Sequence, residues 1–153
     1  MPERSFRSYL TAALERIEVD APGLYRRIGE HLGRRALSIE VDGEVVCLSA
    51  PGGRVTLEEG SIRAVVHACT TKAEIVALAD GEALLEEAIV AERVHLVGAI
   101  DDLLACLDAL SAFLNGAVRS PELGSLMGEL RREVAARKEV TPEAARGPVG
   151  PRA

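Results

Sequence analysis

The chain has no tryptophan, no glutamine and only four aromatic residues in 153: Phe6, Tyr9, Tyr25 and Phe113. Recognition of single-stranded nucleic acid by base stacking needs aromatic platforms, and that class is excluded. A basic excess is lacking too. The net charge is −6, which gives phosphate backbones nothing to hold, so no nucleic-acid partner is expected. The three cysteines, Cys47, Cys69 and Cys106, are odd in number and widely spaced, with no Cys-x-x-Cys pair. That argues against a disulfide framework and against a zinc knuckle. Lysine occurs only at 72 and 138, against sixteen arginines, a high-GC codon signature that points to a bacterial source. The longest uncharged stretch of the apolar helical region, 109–118, is far short of the ~20 residues that cross a bilayer. Residues 1–10 hold no apolar core of signal-peptide length. Together these absences predict a cytoplasmic globule.

What is present is aliphatic. Hydrophobic residues make up 48% and charged residues 27%, the balance of a folded domain. Ala, Leu, Val and Ile alone supply 64 residues. The length fits one domain, which hides roughly 70% of its unfolded surface.

The pattern along the chain places helices at both ends and strands between. Phe6, Leu10, Leu14 and Ile17 share one helical stripe over 3–18. Asp20 offers a cap and Pro22 a first turn for a second helix near 24–32, which Gly33 closes. From Arg35 the period becomes two. Leu37, Ile39 and Val41 lead into an Asp42-Gly43 hairpin turn, 45–49 pairs back, and 55–57 forms a third strand. Ile62, Ala64, Val66 and Ala68 read as the inner row of a fourth strand. Thr71-Lys72-Ala73-Glu74 has the capping-box form. A short helix follows over 82–91, then a fifth strand ending at Gly98. Two long helices close the domain, from Ile100 to about Ala117 and from a Ser120 cap with Pro121 onward. A single domain over 1–140 is expected, with a helical N-terminal extension over 1–33 and a loose tail over 141–153. Strands clustered between helices indicate α+β: a five-stranded, mostly antiparallel sheet covered by helices on one face.

The helix from Ile100 stands apart. On a wheel, Asp101, Asp108 and Asn115 stack with Ser111 beside them in one narrow polar stripe. Nearly everything else is aliphatic, so the helix must be surrounded on several sides. It is either a central core element or one wall of a cavity for an apolar ligand, and periodicity leaves both open.

In their order and spacing these segments resemble the sterol carrier protein type-2 domains, over about residues 33–130. The likeness rests on the strand-turn-strand Ile39-Glu40-Val41-Asp42-Gly43-Glu44, the strand running into a helix over 62–71, and the passage Leu78-Ala79-Asp80-Gly81-Glu82-Ala83-Leu84-Leu85-Glu86-Glu87-Ala88. The strand 93–97, closed by Gly98 before the apolar helix, completes it. Ala99 and Ile100, intervening before Asp101-Asp102, depart from the family's pattern. The resemblance implies a hydrophobic tunnel for fatty acyl chains, sterols or similar lipids. Its expected lining is Ile62, Ala64 and Val66 from the fourth strand, Leu84 and Ile89, and Leu103, Leu107, Leu110 and Leu114 of the long helix. Leu126 and Met127 would close it, Met suiting a wall that adapts to shape.

Motifs for chemistry are absent. Gly124-Ser125-Leu126-Met127-Gly128 is not a nucleophile elbow, and no phosphate-binding glycine loop occurs. Lys72 and Lys138 are the only Schiff-base candidates, and both are expected to be exposed. Glu58-Glu59 and Glu86-Glu87 read as solvated acid pairs, and His31 as a solvated residue near a helix end. His67, His95 and Cys69 share the outer phase of their strands; a metal site there is weighed against plain polar filling beside Arg63 and Arg93, and none is assigned. No cofactor and no catalytic residue is assigned. The expected function is binding or carriage of an apolar small molecule. Two alternatives stand beside it: a cofactor-independent enzyme folding a hydrophobic biosynthetic intermediate such as a polyketide or terpenoid chain, and a ligand-free protein that dimerises through its open sheet face or last helix. A cavity below ~300 Å³ would sink both the carrier and the enzyme readings. An ionisable group in its wall favours the enzyme, and an aliphatic wall favours the carrier.

Overall fold

The computed structural model describes residues 4–59 and 63–145, with side chains as far as Lys138. Helix α1 (Phe6–Asp20) buries the predicted stripe, Phe6, Leu10, Leu14 and Ile17, together with Tyr9 and Ala13. Its N-terminus is held twice. Ser5 Oγ accepts from the Ser8 amide at 3.1 Å, and the Glu44 carboxylate accepts from the Phe6 and Arg7 amides at 2.9 and 2.8 Å. A carboxylate there satisfies unpaired N–H groups and meets the positive end of the helix dipole.

Helix α2 (Pro22–Leu32) opens on the expected proline, but Ala21 precedes it as a cap with no side-chain bond. Asp20 is used elsewhere: it accepts a short hydrogen bond from Ser120 Oγ. The two residues predicted to cap different helices thus bond to each other, pinning the end of α1 to the corner after helix α5 (Ile100–Arg119).

Strands β1 (Ala36–Val41) and β2 (Glu44–Ser49) form the predicted hairpin. Asp42 and Gly43 both take the left-handed conformation, with φ of 50° and 87°, as a two-residue hairpin turn matched to strand twist requires. A single 3₁₀ turn, Pro51–Gly53, leads to β3 (Thr56–Glu59), followed by β4 (Val66–Thr70) and β5 (His95–Gly98). The sheet order is β3-β2-β1-β4-β5, antiparallel except for the parallel β1–β4 pair. The fourth strand therefore starts at Val66. Ala64 lies before it, half-buried, and Ile62 lies outside the described residues.

Helix α3 (Lys72–Ala79) makes half of the capping box: Thr71 Oγ1 accepts from the Glu74 amide at 3.1 Å. The Glu74 carboxylate turns to Arg93 Nε at 3.0 Å. Helix α4 (Leu85–Val90) is short, α5 is long, and α6 (Leu123–Ala145) follows after a sharp bend. α6 takes in five residues of the expected tail; the rest of that tail, 146–153, lies outside the described residues.

One face of the sheet, with Leu37, Ile39, Val41, Val46, Leu48, Val66 and Ala68, is buried against the helices. The other is exposed at Glu40, Glu58, His67, His95 and Val97. Helix α5 presents the small residues Cys106, Ala109, Ala112 and Gly116 as its buried spine, and Gly116 lies so close to Ile17 that an added Cβ would sit 2.9 Å from Ile17 Cγ2. Its predicted polar stripe is exposed at Asp101, Asp108 and Asn115, and Ile100, Leu104 and Val118 are exposed as well. Among the described residues no single helix is long and apolar enough to cross a membrane; α5 and α6 pass only as a pair, bent by 105°.

Candidate apolar cavity

Between the inner sheet face and helices α1, α5 and α6 lies a cavity of about 150 Å³. Helix α1 supplies Phe6, Tyr9, Leu10, Ala13 and Leu14; the sheet supplies Leu37, Ile39, Leu48, Ala68 and Thr70. The C-terminal half of α5 adds Ala109, Leu110, Phe113, Leu114 and Ala117, and α6 covers the space with Leu123, Leu126, Met127 and Leu130. Three of the four aromatic residues in the chain are in this wall. Among the described residues the wall is apolar throughout, because the two that carry hydroxyls turn them away. Thr70 Oγ1 donates to the Arg93 carbonyl at 3.1 Å, and Tyr9 Oη donates to Glu133 Oε1 at 2.7 Å.

Four of the residues expected from sequence meet here: Leu110, Leu114, Leu126 and Met127. Ile62 lies outside the described residues, and the remaining six do not line the cavity. Val66 is fully buried in the core without reaching it, and Ala64 and Ile89 are half-buried elsewhere. Leu84 is 61% exposed, because α4 starts only at Leu85, and it is Leu85 that faces inward. Leu103 and Leu107 are half-buried. They sit on the N-terminal half of α5, and at 1.5 Å per residue Leu103 is roughly 10 Å along the axis from Leu110. Sequence reasoning misses the whole contribution of α1, and that of β1 and β2. The signal is available in one form only: Phe6 and Tyr9 are rare aromatics on the apolar stripe of their helix.

Behind the Tyr9 ring is a polar cluster. Lys72, expected to be exposed, is 5% exposed. Its Nζ donates to Glu133 Oε2 at 3.1 Å and to the Arg4 carbonyl at 3.3 Å, and lies 5.9 Å from the centre of the Tyr9 ring. The Arg4 amide donates to Glu133 Oε1 at 3.1 Å. Burial alone would raise the Glu133 carboxyl, but the hydrogen bonds from Tyr9, Lys72 and the Arg4 amide outweigh it and hold the group below its ordinary range. Burial, followed by the hydrogen bond to Glu133, pushes the Tyr9 phenol well above its usual value.

On the open sheet face the register sets Cys69 beside His95, and His67 beside Val97. The Cys69 thiol donates to Glu40 Oε2 at 3.2 Å. Among the described residues no three His, Cys, Asp or Glu side chains are placed to hold a metal ion.

No family model and no curated protein matches the chain. Solved structures do. The sterol carrier protein domain 2 of Helicoverpa armigera matches with TM-score 0.51 and 17% identity, over 69% of this chain and 85% of that one. UbiJ-SCP2, a ubiquinone synthesis protein, matches with TM-score 0.52 and 19% identity, over 74% and 97%. The stereoselective inverting sec-alkylsulfatase Pisa1 of a Pseudomonas species matches with TM-score 0.44 and 21% identity; the match covers 60% of this chain and only 14% of that protein. The first two establish that the chain has the sterol carrier protein 2 fold.

Proposed function

We propose that the protein binds an apolar small molecule in the cavity between α1, α5 and α6. One observation carries this reading: on a sterol carrier protein 2 fold, the wall is apolar on every side, with both of its hydroxyls turned outward. Among the described residues no charged group enters the wall, which favours a binder over an enzyme. The volume, about 150 Å³, falls below the ~300 Å³ of typical ligand pockets, which counts against the carrier and the enzyme readings alike unless the space widens. An apolar space of this size accommodates a molecule the size of benzene. Longer alkyl or acyl chains require one wall to move. Each further methylene that is buried then contributes ~0.8 kcal/mol before association costs. The unpaired thiols Cys47, Cys69 and Cys106 fit the reducing cytoplasm that we assign to this protein.

Native mass spectrometry of the purified protein, followed by organic extraction, tests the reading. A co-purifying apolar molecule, or displacement of a bound fluorescent fatty acid, supports it. An apo mass together with no binding of either benzene or a fluorescent fatty acid refutes it and leaves the ligand-free, self-associating alternative. Ala117→Phe, which fills the cavity, should abolish binding in a folded protein. Leu107→Ala, on the same helix but off the wall, should retain it.

A further inference from the structure

The same cavity carries a device for opening, whose use depends on the binding function proposed for it. Its walls are fastened in two different ways. Helices α1, α2 and α5 are joined by buried apolar contacts, with Ile17, Leu32 and Cys106 fully enclosed. Helix α6 lays Leu123, Leu126, Met127 and Leu130 over the cavity and buries Leu123, Leu130 and Val134, but polar bonds also hold it along its length. Arg16 reaches Glu122 at 2.7 Å, just before its first turn. Further along, Arg131 clasps Asp80, and Arg137 Nη1 reaches Asp42 Oδ2 at 3.2 Å. At its middle, Glu133 receives Tyr9, Lys72 and the Arg4 amide, while Glu129 takes Arg4 Nη1 at 3.2 Å.

We infer that α6 is a lid over the cavity, and that Glu133 is the positioning residue that latches it to α1 and α3. The hinge is the three-residue corner Ser120–Glu122, where the chain bends by 105° between the two helices. Two glycines follow, Gly124 and Gly128, and an added Cβ would meet nothing within 4 Å at either. Close packing does not require them, and each weakens the helix relative to alanine. Physical chemistry favours opening at this wall. A buried ion pair contributes little net stability when both partners return to water together. Opening rehydrates Lys72 and Glu133 at once and leaves mainly the apolar face of α6 unpaired, which an apolar ligand then covers. Removing one partner has the opposite character, because it strands the other charge in the closed form.

Amide hydrogen exchange on the full chain tests the latch whether or not a ligand binds. Glu133→Gln should speed exchange over 123–138 by about tenfold or more, with α5 from 104 to 116 unchanged. The apolar double replacement Lys72→Met with Glu133→Leu should restore slow exchange. Stopped-flow uptake of cis-parinaric acid should show the same order of rates, with Arg26→Ala, at an exposed α2 pair, unchanged. Should Glu133→Gln unfold, Tyr9→Phe removes one bond of the latch and should speed α6 exchange by about threefold. Exchange over 123–138 that stays within twofold of the parent in the variants that fold would overturn the lid. A parent protein that takes up neither benzene nor cis-parinaric acid would instead refute the binding function, and exchange would still decide the latch.

Discussion

The α1–α2–α5 bundle and the α6 cover face the same cavity and are built on opposite principles. The bundle is joined by small residues and enclosed aliphatics: Gly116 admits Ile17, and on its outer side α2 packs as tightly on the 3₁₀ turn, where an added Cβ at Gly29 would lie 2.5 Å from the Gly53 carbonyl oxygen. No water reaches such contacts, and they cannot be exchanged for contacts with solvent. The cover has apolar residues on one face and carboxylates, arginines and a buried lysine along its margins. Its polar bonds, unlike the contacts of its apolar face, can be traded for bonds to water. Part of the protein can therefore be rigid while one wall remains free to move.

That contrast can be broken from either side. The largest effect is expected at Ile17, which is fully buried. Ile17→Ala should cost about 3 kcal/mol and lower the melting temperature by roughly 6–12 °C in a calorimetric scan, with the whole domain melting together. Gly29→Ala comes next, at about 2 kcal/mol, because backbone must shift to admit the methyl group; denaturant unfolding should show a lower midpoint with an unchanged slope. A smaller effect is expected in the cover. Gly124→Ala or Gly128→Ala should strengthen α6 by about 0.5–1 kcal/mol, read as slower amide exchange there and nowhere in the bundle.

The pH response should be smallest and, in the cover, should centre on Glu133. The folded Glu133 carboxyl lies below its ordinary range, so its contribution is present above the unfolded value and is lost as pH falls through the folded one. Protection of α6 should hold from neutrality to about pH 5 and decline in more acidic solution, and Glu133→Gln should reduce that decline, leaving the part due to Asp80 and Arg131. Tyr9 has the opposite sign. Its raised phenol gives stability below the ordinary tyrosine value, about 10, that is lost at higher pH. A spectrophotometric titration should show this one phenol ionising late.

Most of the fold could be read from local pattern. The Asp42-Gly43 turn, the proline opening α2, the strand ending at Gly98 and the register of apolar residues are local choices, and each is legible. The cavity is legible only in part. Leu110, Leu114, Leu126 and Met127 are found because helical period alone turns them inward. Val66 fails as a wall residue although its phase along the strand is right. The central strand is β1, and its Leu37 and Ile39 hold that place in the wall. Leu84 fails by one residue, since a short helix between loops offers too little period to set its phase. Lys72 fails for a different reason. A lone lysine at a helix start reads as solvated, and nothing nearby announces that Glu133, 61 residues later, will be its partner.

By itself the aliphatic, aromatic-poor sequence determined the class: an α+β fold with one buried sheet face. Period and turn residues act over a few positions, and they carry that much. Only the tertiary structure decided which strand lies central, which helix covers the apolar space, and that Asp20 meets Ser120 while Lys72 meets Glu133. Those pairings join residues 61 and 100 positions apart. Each is set by where whole elements pack, which no local pattern encodes.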